Sequence, residues 1–107
     1  MKYWAVTVSS LPAQAMALYP FMLFKRKNLR ENESIIRHEQ IHFRQQRELL
    51  IVFFYPIYLL NYVLNLARYR DHNKAYFNIS FEREAYQNES DLTYLNKRKL
   101  FAWTRLL

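Results

Sequence analysis

The order of apolar and polar positions changes rhythm along this chain, and each rhythm predicts an element. Residues 3–8 alternate as a half-buried strand does, and residues 20–25 form an apolar run that reads as a second strand or an apolar anchor. Lys25, Arg26 and Lys27 close this 1–27 segment with a basic cluster. Ala13, Gln14 and Ala15 mimic a signal-cleavage site, but Pro12 and Pro20 interrupt the stretch and aromatics replace its leucines, so it reads poorly as a secretory leader. From 34 to 55 the period becomes three and four. Ile35, His38, His42, Gln46, Leu49 and Phe53 then share one helical face, with Ile36, Phe43 and Leu50 beside them. Asn28, Asn32 and Ser34 offer N-caps, Glu31 and Glu33 suit the positive end of the dipole, and Pro56 is expected to block continuation.

Residues 49–66 are the most hydrophobic stretch, 18 residues long and interrupted by Pro56, Asn61 and Asn65. Arg44 and Arg47 precede it and Arg68 and Arg70 follow it, which gives a single span no orientation. A helical hairpin bent at Pro56, with its second helix over 57–68, fits better, either buried or dipping into one leaflet. Residues 68–78, with Asp71, His72 and Asn73, read as a loop or short ribbon. A last clear helix is expected over 80–91, capped by Ser80 or Asn78 and burying Phe81, Ala85 and Leu92. The 92–107 tail is basic and aromatic and is expected to pack back or lie on a membrane. The sum is one mainly α domain, with α+β character only through short N-terminal strands.

Composition narrows the chemistry. Among 107 residues there is no cysteine, which excludes disulfides, thiolate metal sites and cysteine nucleophiles. There is no glycine either, which excludes glycine-rich phosphate loops and leaves Asn as the expected occupant of left-handed positions. A formal charge of +7 favours nucleic acid, an anionic membrane surface or acidic partners. The cations are scattered and carry no nucleic-acid-binding signature, which argues against the first.

His38, Glu39, Gln40, Ile41 and His42 form an HExxH pentapeptide inside the best helix, using two of the three histidines. Imidazoles at i and i+4 project from one helix face and can share one tetrahedral metal. The Glu after the first His is placed to take a proton from a water activated by that metal. Such a site needs a third protein ligand, and 40 residues after His42 comes a helix start bearing Glu82 and Glu84.

HExxH followed by Phe81, Glu82, Arg83, Glu84 and Ala85 resembles the gluzincin metallopeptidases. It is closest to the membrane zinc peptidases of the CAAX-processing and heat-shock types and to the single-domain minigluzincins. The whole chain is also similar to small bacterial proteins that carry Gln45 and Gln46 after the motif. The resemblance covers about a quarter of the chain, the two motif helices. It implies a Zn2+ cofactor held by His38, His42 and Glu82, Glu39 as general base, and a peptide or protein substrate. Glu84 is the alternative third ligand. Tyr86 stands where the family has an Asp that orients a ligand histidine, and its hydroxyl would have to take that role. A membrane-associated or cytoplasmic peptidase is the expectation. The alternative is a non-enzymatic, membrane-associated basic helical protein with a structural or vestigial metal site.

Overall fold

Three four-residue strands begin the computed structural model, which describes residues 3–107: β1 (Trp4–Thr7), β2 (Ala15–Leu18) and β3 (Phe21–Phe24). Met1 and Lys2 of the expected N-terminal segment lie outside the described residues. β3 is central, parallel to β1 and antiparallel to β2. The 20–25 run is therefore a strand; its alternation buries Met22 and Phe24 and exposes Phe21. β2 went unpredicted because Ala15, Met16, Ala17 and Leu18 show no polar alternation.

A 3-10 turn (Lys27–Glu31) leads into α1 (Glu33–Glu48). Asn32 caps that helix, its Oδ1 accepting the Ile35 N–H at 3.1 Å. Phe43 of α1 packs with Met22, Phe24 and Leu29 as a first apolar core. The helix ends seven residues short of the expected Tyr55. Pro56 does not stop α1; it sits in the first turn of α2 (Phe54–Tyr69). There no backbone N–H needs an intrahelical partner, so proline is tolerated, and the break must fall just ahead of it. Leu49 and Phe53 consequently leave the histidine face that the periodicity gave them.

Three further corrections follow. The expected loop over 68–78 contains α3 (His72–Phe77), because the Asp71 carboxylate accepts the Lys74 N–H at 2.9 Å and caps a helix. α4 (Ser80–Asn88) carries no side-chain cap from Ser80 or Asn78; Asn61 of α2 accepts the Ser80 N–H at 2.9 Å instead. Phe81 and Ala85 are fully buried, but Leu92 lies past the helix end and is exposed. A second core joins Phe54, Ile79, Phe81 and Trp103.

The tail packs back through α5 (Tyr94–Lys97) and a 3-10 turn (Ala102–Leu106), placing Trp103 against Phe81 at 4.8 Å between ring centroids. Arg98 buries its guanidinium between two helices. It donates to both Glu48 oxygens at 2.8 and 3.0 Å and to both oxygens of Glu84. The fold is thus mainly helical with a small sheet. No helix among the described residues is long and apolar enough to cross a membrane.

Left-handed backbone falls to Leu50, Ile51, Arg70 and Phe101, and to none of the asparagines. Arg70 closes α2 with its N–H on the Leu66 carbonyl, and Leu50 and Ile51 turn the chain between α1 and α2. Each such residue costs about 1–2 kcal/mol through its Cβ. The exposed Leu50→Gly should therefore raise stability by up to about 1 kcal/mol and Leu50→Val lower it, read from urea midpoints. Arg98→Met should cost about 3–5 kcal/mol in the same assay, since two buried carboxylates lose their cation.

Candidate metal centre

The α1–α4 contact brings the predicted ligands together. His38 and His42 stand one turn apart on α1, and Glu82 lies in the first turn of α4 facing them. His38 Nε2 is 3.2 Å from His42 Nε2, and Glu82 Oε1 is 3.1 and 3.0 Å from the two nitrogens. All three side chains are buried, and this group could hold a metal ion. A tetrahedral ion with bonds of about 2.0–2.1 Å separates its ligands by about 3.3 Å, so the triangle needs only slight expansion to fit one.

Hydrogen-bond partners behind the triangle fix which atoms point inward. His38 Nδ1 lies 2.8 Å from Glu89 Oε1, and His42 Nδ1 lies 2.7 Å from Gln45 Oε1. Both acceptors require an N–H at Nδ1, which assigns a lone pair to each Nε2 in the neutral tautomer. Tyr58 of α2 donates to the other Glu82 oxygen at 2.6 Å. Three electron-rich atoms thus converge with every outer atom already occupied. Only a cation satisfies them, whether a proton or a metal.

Burial and mutual attraction set the charges of these groups. Burial opposes a charge on His42, but the Glu82 carboxylate, joined by Glu39 and Gln45, outweighs it and pushes the imidazole up to about 9. Burial likewise opposes the Glu82 charge, and the two imidazoles reverse it, holding the carboxyl well below the usual range. Glu39 is not part of the triangle. Burial raises its carboxyl above the ordinary carboxylate value, against the pull of His42 and His38. It lines a cleft of about 590 Å³, together with His38, His42, Tyr76 and Tyr86.

Several expectations about neighbours change. Glu84 is turned away, accepting from Gln45 at 2.9 Å, Tyr94 at 2.6 Å and Arg98, and does not join the triangle. Tyr86 lays its ring edge against His38 at 4.4 Å between centroids, and its hydroxyl pairs with Tyr76 at 3.1 Å. It does not orient His38. Glu89 does, two helical turns after Glu82, with its backbone carbonyl accepting from Arg37. His72 sits at the start of α3, bonds Tyr62 at 2.9 Å and lines the same cleft without joining the His38–His42–Glu82 triangle. Gln46 pairs with the strand end instead: it accepts from Tyr19 N–H and donates to the Ala17 carbonyl, each at 2.8 Å.

Sequence reading missed Glu89, Gln45 and Tyr58 as supports. Seven-residue spacing from Glu82 could have suggested Glu89, and three-residue spacing from His42 could have suggested Gln45. Nothing local could have found Tyr58, which arrives from a separate helix. Comparison with family models, curated proteins and solved structures finds no match.

One divalent ion per chain should be measured by ICP-MS after zinc loading, absent in His38→Ala and retained in Glu84→Gln. Glu89→Ala should weaken zinc binding about 10- to 100-fold in a chelator competition, with Glu89→Gln between it and the parent.

Proposed function

We propose that this chain is a zinc-dependent metallopeptidase that hydrolyses flexible peptides. One observation carries the reading: two imidazole nitrogens and a carboxylate oxygen converge within 3.2 Å, with the buried Glu39 beside them on an open cleft. The two-nitrogen, one-oxygen set suits zinc and leaves a fourth position for substrate or water. Bound there, zinc would polarise a water molecule and a peptide carbonyl.

The chain's own groups then divide the work. A Glu39 carboxylate oxygen takes a proton from the attacking water and returns it to the leaving amine nitrogen. Tyr58 and the two histidine supports hold the ligands, so the triangle keeps its shape during turnover. Tyr58 is committed to Glu82, whereas the Tyr76–Tyr86 pair shares one hydrogen bond and keeps one O–H free to donate to a developing oxyanion. β2 is an edge strand lining the cleft, and its Ala17 carbonyl already accepts from Gln46 on that side. An extended peptide would align by strand addition along the part of this edge that Gln46 leaves free.

The gluzincin resemblance supports this reading on the positions that match, His38, Glu39, His42 and Glu82. A second reading, a metal-holding helical protein without hydrolytic activity, draws on Tyr86 at the position of the family Asp. Quenched fluorescent peptide libraries separate the two. Under the peptidase reading, the zinc-loaded protein cleaves, and Glu39→Gln lowers kcat at least about 100-fold with metal content unchanged. Cleavage unaffected by Glu39→Gln, or no cleavage by a protein that retains zinc, leaves the non-enzymatic reading.

A further inference from the structure

The second helix is amphipathic the wrong way round for a surface helix in water. Its inward positions are Phe54, Ile57, Tyr58, Asn61, Tyr62 and Asn65, spaced at helical intervals. The polar members of this face are all used inside. Tyr58 bonds Glu82, Asn61 bonds the Ser80 N–H, Tyr62 bonds His72, and Asn65 donates to the Ala75 carbonyl at 3.1 Å. The outward face is aliphatic, with Leu59 61%, Leu60 59%, Val63 50% and Leu64 58% exposed. Val52, in the turn leading to it, is 71% exposed. A contiguous apolar face of this kind marks an interaction surface.

Charge and length identify what covers it. No Asp or Glu occurs between Glu48 and Asp71, while Arg68 and Arg70 follow the aliphatic positions. Tyr55 and Tyr69 stand near the two ends of the helix, where aromatic rings with a polar tip anchor at a membrane interface. Sixteen residues extend about 24 Å, short of the roughly 30 Å of a hydrocarbon core, so the helix cannot cross. A second copy fits less well. Protein interface cores favour aromatic, Met and Arg side chains, whereas this face is Leu and Val, and two chains of charge +7 repel.

We infer that the outward face of α2 docks in the interface of an anionic phospholipid bilayer, with the helix parallel to the membrane plane. Leu59, Leu60, Val63 and Leu64 enter the acyl boundary, and the arginines at the C-terminal end reach lipid phosphates along their apolar stems. Tyr55 and Tyr58 of the same helix line the cleft, so docking brings the cleft alongside the membrane surface. The inference stands whether or not the chain hydrolyses peptides.

The test is co-sedimentation of the full chain with vesicles of phosphatidylglycerol and, separately, of phosphatidylcholine. Binding is expected to the anionic vesicles, weaker to the neutral ones, and reduced about 100-fold in Leu60→Glu/Leu64→Glu, whose substitutions touch only exposed positions. A chain that stays in the supernatant with anionic vesicles overturns the proposal, as does a double variant that binds like its parent. So does a dimer in lipid-free solution that the double variant dissolves, if vesicles capture neither protein. Should the double variant fail to fold, Leu64→Trp provides the second reading. Blue-shifted emission quenched by brominated lipid supports insertion, and unquenched emission overturns it.

Discussion

Burial of polar and ionisable side chains between α1 and α4 is the constraint on which the other contacts depend. His38, Glu39, His42, Gln45, Glu82 and Glu84 are all buried there, and a buried polar group without a partner costs kilocalories. The register of the two helices is therefore the one that pairs all of them but Glu39, which faces the cleft. Slipping α4 by one residue would carry Glu82 away from both imidazoles and Glu84 away from Arg98 and Gln45. The two apolar cores flank this seam: Phe43 belongs to one, and His42 lies against Phe54 of the other. The hydrophobic effect supplies most of the drive to collapse, and the polar seam selects one arrangement among the collapsed ones.

The seam also explains how the chain does without the Asp that the resemblance leads one to expect. A carboxylate must reach the far nitrogen of His38, and the helix offers two places for it, one turn or two turns beyond the ligand Glu. Tyr86 fills the nearer place with a ring that packs against the imidazole, and Glu89 reaches in from the farther one. Arg37 helps by holding the Glu89 carbonyl, next in sequence to the histidine that Glu89 supports. The carboxylate contact to His38 Nδ1 is supplied from the farther position.

What could be read from the sequence was the part set by local periodicity. The HExxH helix and the Glu-bearing helix follow from spacing and charge, and so do β1 and β3; that the two helices face each other is what the gluzincin resemblance implies. The mistakes arise where a distant partner decides. Pro56 ends a helix only if the residues before it are helical, and here the chain turns at Leu49–Phe53 so that Phe54 can return to Phe81. Ser80 looked like a cap, but Asn61, nineteen residues earlier, satisfies its N–H. Glu84 and Glu82 are indistinguishable by composition. Arg98, fourteen residues beyond Glu84, is what assigns Glu84 to a structural role.

The Arg98 clasp has a consequence for the order of assembly. Glu48 and Arg98 are fifty residues apart, and Glu84, the other carboxylate that Arg98 neutralises, sits behind His42 through Gln45. While the chain is being synthesised, α1 and the sheet can form early, but Glu48 and Glu84 remain without their cation until residue 98 has emerged. Until then those carboxylates favour solvent over the seam, and α4 has little reason to stay docked on α1. The His38–His42–Glu82 triangle is therefore completed late, after the tail has folded back. Any cation held there would be taken up by the finished chain and not by its nascent form.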